Sequence, residues 1–126
     1  MARVLLLESD TILASGVSQA LQRRGHSVDW QVDPQTATNS SDHRKPDLII
    51  LDLLLAGRSG VEFLYELRSY PDWRELPVVI YSSVNPSEIS PSLAGLSQLN
   101  ILAYYHKPST SLSQLTQSVD GILRNG

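Results

Sequence analysis

The sequence has no cysteine, which removes disulfides, thiolate catalysis and cysteine-based metal sites and agrees with a reducing compartment. Long apolar runs are missing too. The first, at residues 4–7, ends at Glu8 and is too short for the core of a signal peptide. No run approaches the ~20 residues that a membrane-spanning helix needs. A cytoplasmic protein with no membrane partner is expected. Basic residues are few, 10 Lys and Arg against 13 Asp and Glu, for a net charge of −3. Arg23-Arg24 and Arg44-Lys45 are isolated pairs that read as solvated helix or loop ends, and no helix-turn-helix pattern accompanies them. A nucleic-acid partner is therefore not expected. The chain also lacks a glycine-rich phosphate loop, a dinucleotide fingerprint and a Ser-His-Asp arrangement. His26, His43 and His106 fall at a strand start, in a loop and in a turn. They lack metal-ligand spacing and are expected to be structural or exposed.

What is present is an alternation. The length of 126 residues suits one domain, residues 1–126, with one core and no linker or repeat. Five segments read as strands: residues 4–7, 26–32, 48–51, 78–81 and 101–105. Three are continuous apolar runs, as expected for strands buried on both faces of a parallel sheet. Between them, Ile12, Leu13, Gly16, Val17, Ala20 and Leu21 recur at helical spacing, with Gly25 placed to end the helix. Val61, Phe63, Leu64 and Leu67 mark a second helix, and Leu112, Leu115, Val119, Ile122 and Leu123 mark the last. Two connections are weakly patterned. Residues 34–45 are polar, and residues 85–100 carry Pro86, Pro91 and Gly95, with Ser90 placed to cap a helix starting at Pro91. Alternating strands and helices with short links predict a parallel α/β sheet.

In such a sheet ligands collect at the carboxyl ends of the strands. Glu8, Ser9 and Asp10 follow the first strand, Asp52 ends the third, Ser82 and Ser83 end the fourth, and Lys107 follows the fifth. Taken singly each has a plain structural role: Ser9 or Asp10 as a helix cap, Asp52 as a turn residue, Ser82 as a strand-end hydroxyl, Lys107 as a surface cation. Together they put carboxylates, a hydroxyl and an ammonium on one edge, a set that suits a hard cation and a phosphoryl group.

The same segments resemble the receiver domains of two-component response regulators. Val4-Leu5-Leu6-Leu7-Glu8-Ser9-Asp10 resembles that family's first strand and acidic pair, and residues 47–60 resemble its phosphorylation strand and following loop. Pro77-Val78-Val79-Ile80-Tyr81-Ser82-Ser83 resembles its fourth strand with the Thr/Ser switch, and Tyr104-Tyr105-His106-Lys107-Pro108 its Lys-Pro signature. The resemblance implies a flavodoxin-like (βα)5 three-layer sandwich with sheet order 2-1-3-4-5. It implies Asp52 as phosphoacceptor in a phosphorelay, Lys107 as its cationic partner, Ser82 as donor to a phosphoryl oxygen and Tyr104 as the aromatic switch. Metal ligands would be Glu8, Asp52 and the carbonyl of Leu54. The Lys107-Pro108 bond would be cis. A sensor histidine kinase or phosphotransfer protein would supply the phosphoryl group. An output protein or a second copy would read the face of the fourth helix, fifth strand and fifth helix. Chemistry would be confined to self-phosphorylation and self-dephosphorylation of Asp52.

The departures from the pattern bear on the metal. The second acid of the pair is Ser9, with Asp10 one place further along. Mg²⁺ is therefore expected to bind weakly or not at all, unless Asp10 swings in or Glu8 reaches directly. Ala56 replaces a proline of the loop, Ser83 a smaller residue, and Leu54 and Val84 stand where polar groups often handle the hydrolytic water, which predicts slow self-dephosphorylation. A second reading is a phosphorylation-independent pseudo-receiver acting as a protein-interaction module, with Ser9 bonded directly to Asp52 in place of the metal.

Overall fold

In the computed structural model, residues 2–32, 45–55, 58–85 and 100–125 are described. Five strands form one parallel sheet: β1 (Arg3–Leu7), β2 (Ser27–Gln31), β3 (Leu48–Leu51), β4 (Val78–Ser82) and β5 (Ile101–His106). Their spatial order is β2-β1-β3-β4-β5, as the resemblance implied. Register places Leu6 beside Trp30 and Ile50, Leu51 beside Ile80, and Ser82 beside His106. The sheet is covered on one side by helix α2 (Gly60–Ser69) and on the other by α1 (Thr11–Arg23) and α3 (Leu112–Asn125). The connections at 34–45 and 85–100, with Ser90, Pro91 and Ala56, lie almost wholly outside the described residues. No described helix is long and apolar enough to cross a membrane.

The unbroken apolar strands follow from this covering. Successive side chains of a strand point to opposite faces, and here both faces are dry. Leu5, Leu7, Ile49, Leu51, Val78 and Ile80 pack against Phe63, Leu64 and Leu67 of α2. Val4, Leu6, Leu48, Ile50, Val79 and Tyr81 pack against Ala14, Val17 and Leu21 of α1 and Leu115 and Val119 of α3. The two cores hold the central strands rigid, so residues at their carboxyl ends are set on a fixed edge.

Helix ends use local chemistry. Asp10 caps α1, its Oδ1 accepting the N–H groups of Ile12 and Leu13 at 3.1 Å. Gly25, at φ +90°, turns the chain out of α1 in the left-handed region. Ser59 caps α2 through the Val61 N–H at 3.1 Å. Gly60 opens α2. A Cβ there would stand 2.6 Å from the Asp52 carbonyl oxygen and from Leu53 Cα, so only glycine lets α2 start this close under the Asp52 turn.

Three expectations need correction. The second strand begins at Ser27, not at residue 26; His26 is buried and bonded through Nε2 to Asp120 Oδ1 at 2.7 Å. A two-residue antiparallel ladder, Leu54–Leu55 with Arg58–Ser59, stands where a plain loop was read. The Lys107-Pro108 peptide is trans; the chain enters a 3-10 turn, Lys107–Ser109, closed by the Thr110 N–H on the Lys107 carbonyl, and proline suits that first turn.

Candidate functional site

Four of the five strands, β1, β3, β4 and β5, each deliver one member of the site to the carboxyl edge. Asp52 follows β3 directly, its N–H continuing the ladder to the Leu7 carbonyl at 3.0 Å. Its side chain is therefore held at the seam of the two central strands, 3% exposed. Glu8 follows β1 and is 2% exposed. Lys107 follows β5 and reaches across both. Its Nζ lies 2.8 Å from Asp52 Oδ2 and 2.9 Å from Glu8 Oε1. The other carboxylate oxygens accept backbone N–H groups: Asp52 Oδ1 from Leu54 at 3.0 Å and Glu8 Oε2 from Asp10 at 3.1 Å. The Tyr81 ring adds a face 5.8 Å from the ammonium.

The electrostatics follow from burial and charge. Burial pushes the Glu8 carboxyl up, and the Asp52 charge adds to this, against the hydrogen bonds from Lys107 and Asp10. Burial works against the Lys107 ammonium, yet its bonds to Asp52 and Glu8 outweigh burial and leave its pKa above the ordinary value. One ammonium thus answers two buried carboxylates.

Ser82 is fully buried at the end of β4, and its Oγ accepts the Val84 N–H at 3.2 Å. Tyr104 on β5 donates its hydroxyl to the Val84 carbonyl at 2.6 Å. The two side chains expected to switch meet on the same residue, from opposite sides of its backbone. Sequence reasoning gave no hint of that junction; Val84 stood out only as an apolar residue.

The divalent-ion question turns on Ser9. Its hydroxyl donates to the Leu54 carbonyl at 3.5 Å, a long contact. The bond from Ser9 to Asp52 that belongs to the pseudo-receiver reading is not formed. Asp10 is committed to capping α1. Among the described residues no group of three or more acidic, histidine or cysteine side chains gathers as a metal site. What remains is two carboxylates already bridged by Lys107 and a carbonyl that meets the Ser9 hydroxyl. This donor set fits a divalent ion poorly, because Mg²⁺ demands near-ideal octahedral oxygen geometry.

Two further features were not legible. Trp30 on β2 donates its indole N–H to the Glu8 carbonyl at 2.8 Å; a lone tryptophan in a strand gives no sign of such a bond. A cavity of about 930 Å³, lined in part by Arg24, His26, Pro77 and Arg124, lies at the amino edge of the sheet, away from Asp52. His106 turns to the Ser83 carbonyl at 3.2 Å and stays outside the cluster.

Comparison with known proteins agrees with this geometry. The family described as the response regulator receiver domain matches residues 4–120. The chain is 32% identical over 81 residues to the transcriptional regulatory protein QseB of Haemophilus influenzae, covering 64% of this chain and 36% of that protein. It spans about a third of the length of the curated relatives it matches first. The crystal structure of the Mn²⁺-bound form of response regulator Rcp1 superposes with TM-score 0.75 at 26% identity, covering 97% of this chain and 91% of the other. The phosphorylated cyanobacterial phytochrome response regulator RcpA superposes with TM-score 0.77 at 29% identity, covering 96% and 90%. A parallel sheet of this order, an acid and a lysine meeting at its carboxyl edge, and a match along nearly the whole chain lead to one conclusion: the chain belongs to the response regulator receiver domain family.

Proposed function

We propose that residues 1–126 act as a single receiver unit in a two-component phosphorelay, with Asp52 as the residue that accepts the phosphoryl group. The observation that carries this reading is the Lys107 ammonium 2.8 Å from Asp52 Oδ2 at the carboxyl edge of the sheet. An Asp52 carboxylate oxygen attacks the phosphorus of a phosphohistidine or a small acyl phosphate. The new P–O bond forms as the bond to the leaving group breaks, and the leaving group keeps the electron pair. Lys107 offsets charge on the transferred group. The Ser82 oxygen accepts a bond from Val84, which leaves its own proton to donate to a phosphoryl oxygen. Drawing Ser82 inward loosens its hold on the Val84 N–H while Tyr104 holds the Val84 carbonyl. A change at Asp52 then biases the position of Tyr104 on β5, a shift between two states.

The donor set supports weak or absent Mg²⁺ binding. The apolar Leu54 and Val84 favour slow self-dephosphorylation, with no turnover of a separate substrate. The phosphoryl donor is a sensor histidine kinase or phosphotransfer protein, in the cytoplasm. The reader is an output protein or a second copy of the chain, on the face of the segment after β4, β5 and α3.

One observation favours a second reading, a pseudo-receiver that binds partners without phosphorylation. Lys107 is shared between Asp52 and Glu8, so the carboxylates already have a resident cation. Incubation with an acyl phosphate, read by intact mass with and without Mg²⁺, separates the two. The first reading expects one phosphoryl group on the wild type, none on Asp52→Asn, and little effect of Mg²⁺. An unlabelled wild type beside a labelled, Mg²⁺-dependent Ser9→Asp would establish the second.

A further inference from the structure

Glu8 is held from the neighbouring strand by both sides of its backbone. Its N–H donates to the Gln31 carbonyl at 3.3 Å, extending the β1–β2 ladder by one residue. Its carbonyl accepts the Trp30 indole N–H at 2.8 Å. Trp30 lies beside Leu6 in register, and Glu8 follows two residues later, just past the end of β1. The aromatic body of Trp30 is half-buried against the α1 and α3 side of the core, which leaves the indole little freedom to turn. Glu8 itself is 2% exposed, so water is a poor substitute for the indole at its carbonyl. Beyond that carbonyl the Glu8 side chain places Oε1 on Lys107 at 2.9 Å and Oε2 on the Asp10 N–H at 3.1 Å. With backbone and carboxylate both engaged, Glu8 has one place to stand, and Lys107 is held against Asp52 from there.

We propose that Trp30 is a positioning residue of the acidic pocket: its indole N–H fixes Glu8 through the Glu8 carbonyl, and Glu8 in turn holds the Lys107 ammonium at the place where Asp52 uses it. This rests on the reading of Asp52 as the reactive carboxylate. Trp30 touches neither Asp52 nor a phosphoryl group; it acts through the two residues between. Preorganisation of this kind lives in the residues that support a site as well as in the site.

Trp30→Phe keeps the aromatic packing and deletes the N–H. In the wild type, the Lys107 side-chain ammonium, bonded to two buried carboxylates, gives an observable ¹H–¹⁵N signal. In Trp30→Phe that signal broadens through faster exchange with water. The maximal rate of Asp52 labelling by an acyl phosphate falls about threefold to tenfold, the range of one ordinary hydrogen bond, with the half-saturating donor concentration unchanged. Trp73→Phe, on the opposite face of the sheet, changes neither. A Trp30→Phe protein whose ammonium signal and labelling rate both match the wild type would overturn the proposal. If the wild type itself takes no phosphoryl group, the Asp52 reading fails, and the ammonium signal alone decides the role of Trp30. Should Trp30→Phe not fold, the coupling is read in reverse: Lys107→Met must shift the Trp30 indole N–H resonance, and an unmoved indole would overturn the proposal equally.

Discussion

Lys107 does the work of two ions, standing within 2.9 Å of both Glu8 and Asp52. Removing its charge leaves two buried carboxylates facing each other. Lys107→Met is expected to lower stability by about 1–3 kcal/mol and to abolish labelling of Asp52, measured by urea denaturation and intact mass. That Asp52 and Lys107 share a site was readable from the sequence, because each ends a strand on the same edge of a parallel sheet. That Lys107 also takes Glu8 was not, since strand order fixes neighbourhoods and not which oxygen a long side chain chooses. The same limit explains Ser9. The sequence shows a hydroxyl in place of an acid, but its partner, the Leu54 carbonyl, depends on the course of a turn 45 residues away.

At the scale of elements, the turn after β3 and the start of α2 form one tight unit. The Gly60 N–H donates to the Leu53 carbonyl at 3.0 Å, and there is no room for a Cβ against Asp52 and Leu53. Gly60→Ala is expected to destabilise the domain by about 1–3 kcal/mol through overpacking. It should also lower Asp52 labelling, because the backbone that must yield is that of Asp52 itself. Calorimetry and intact mass check both effects. The five strands and three helices were legible because apolar runs and helical periodicity mark elements buried on fixed faces. The short ladder of Leu54–Leu55 with Arg58–Ser59 was not, since two residues are too few to show a period. The trans Lys107-Pro108 bond was also hidden, because the residues permit either isomer and the 3-10 turn decides between them.

Across the whole molecule, the carboxyl edge has a counterpart at the amino edge, where Asp120 ties α3 to the connection between α1 and β2. Hydrogen bonds from Arg124, His26 and Arg24 hold its carboxyl well below the usual carboxylate range, against the opposing effect of burial. A carboxyl with a depressed folded pKa adds stability that is present above its unfolded value, 3.8, and is lost as the pH falls below that toward the folded value. Asp120→Asn is therefore expected to be less stable at neutral pH and to show a flatter loss of stability in acid below about pH 4, measured by denaturation across pH. His26 was expected to be structural or exposed; it is buried, and its partner lies 94 residues away in sequence, so only the fold brings them together. The proposed switching also belongs to this scale: a change at Asp52 would travel through Val84 to Tyr104 on the edge strand. Its most direct test is beryllofluoride added to ¹⁵N-labelled protein, with backbone amide shifts followed in wild type and Asp52→Asn. Saturable shifts are expected in the wild type at Val84, Tyr104 and their neighbours, with none in Asp52→Asn. A wild-type spectrum unchanged by beryllofluoride, with and without Mg²⁺, would contradict this switching.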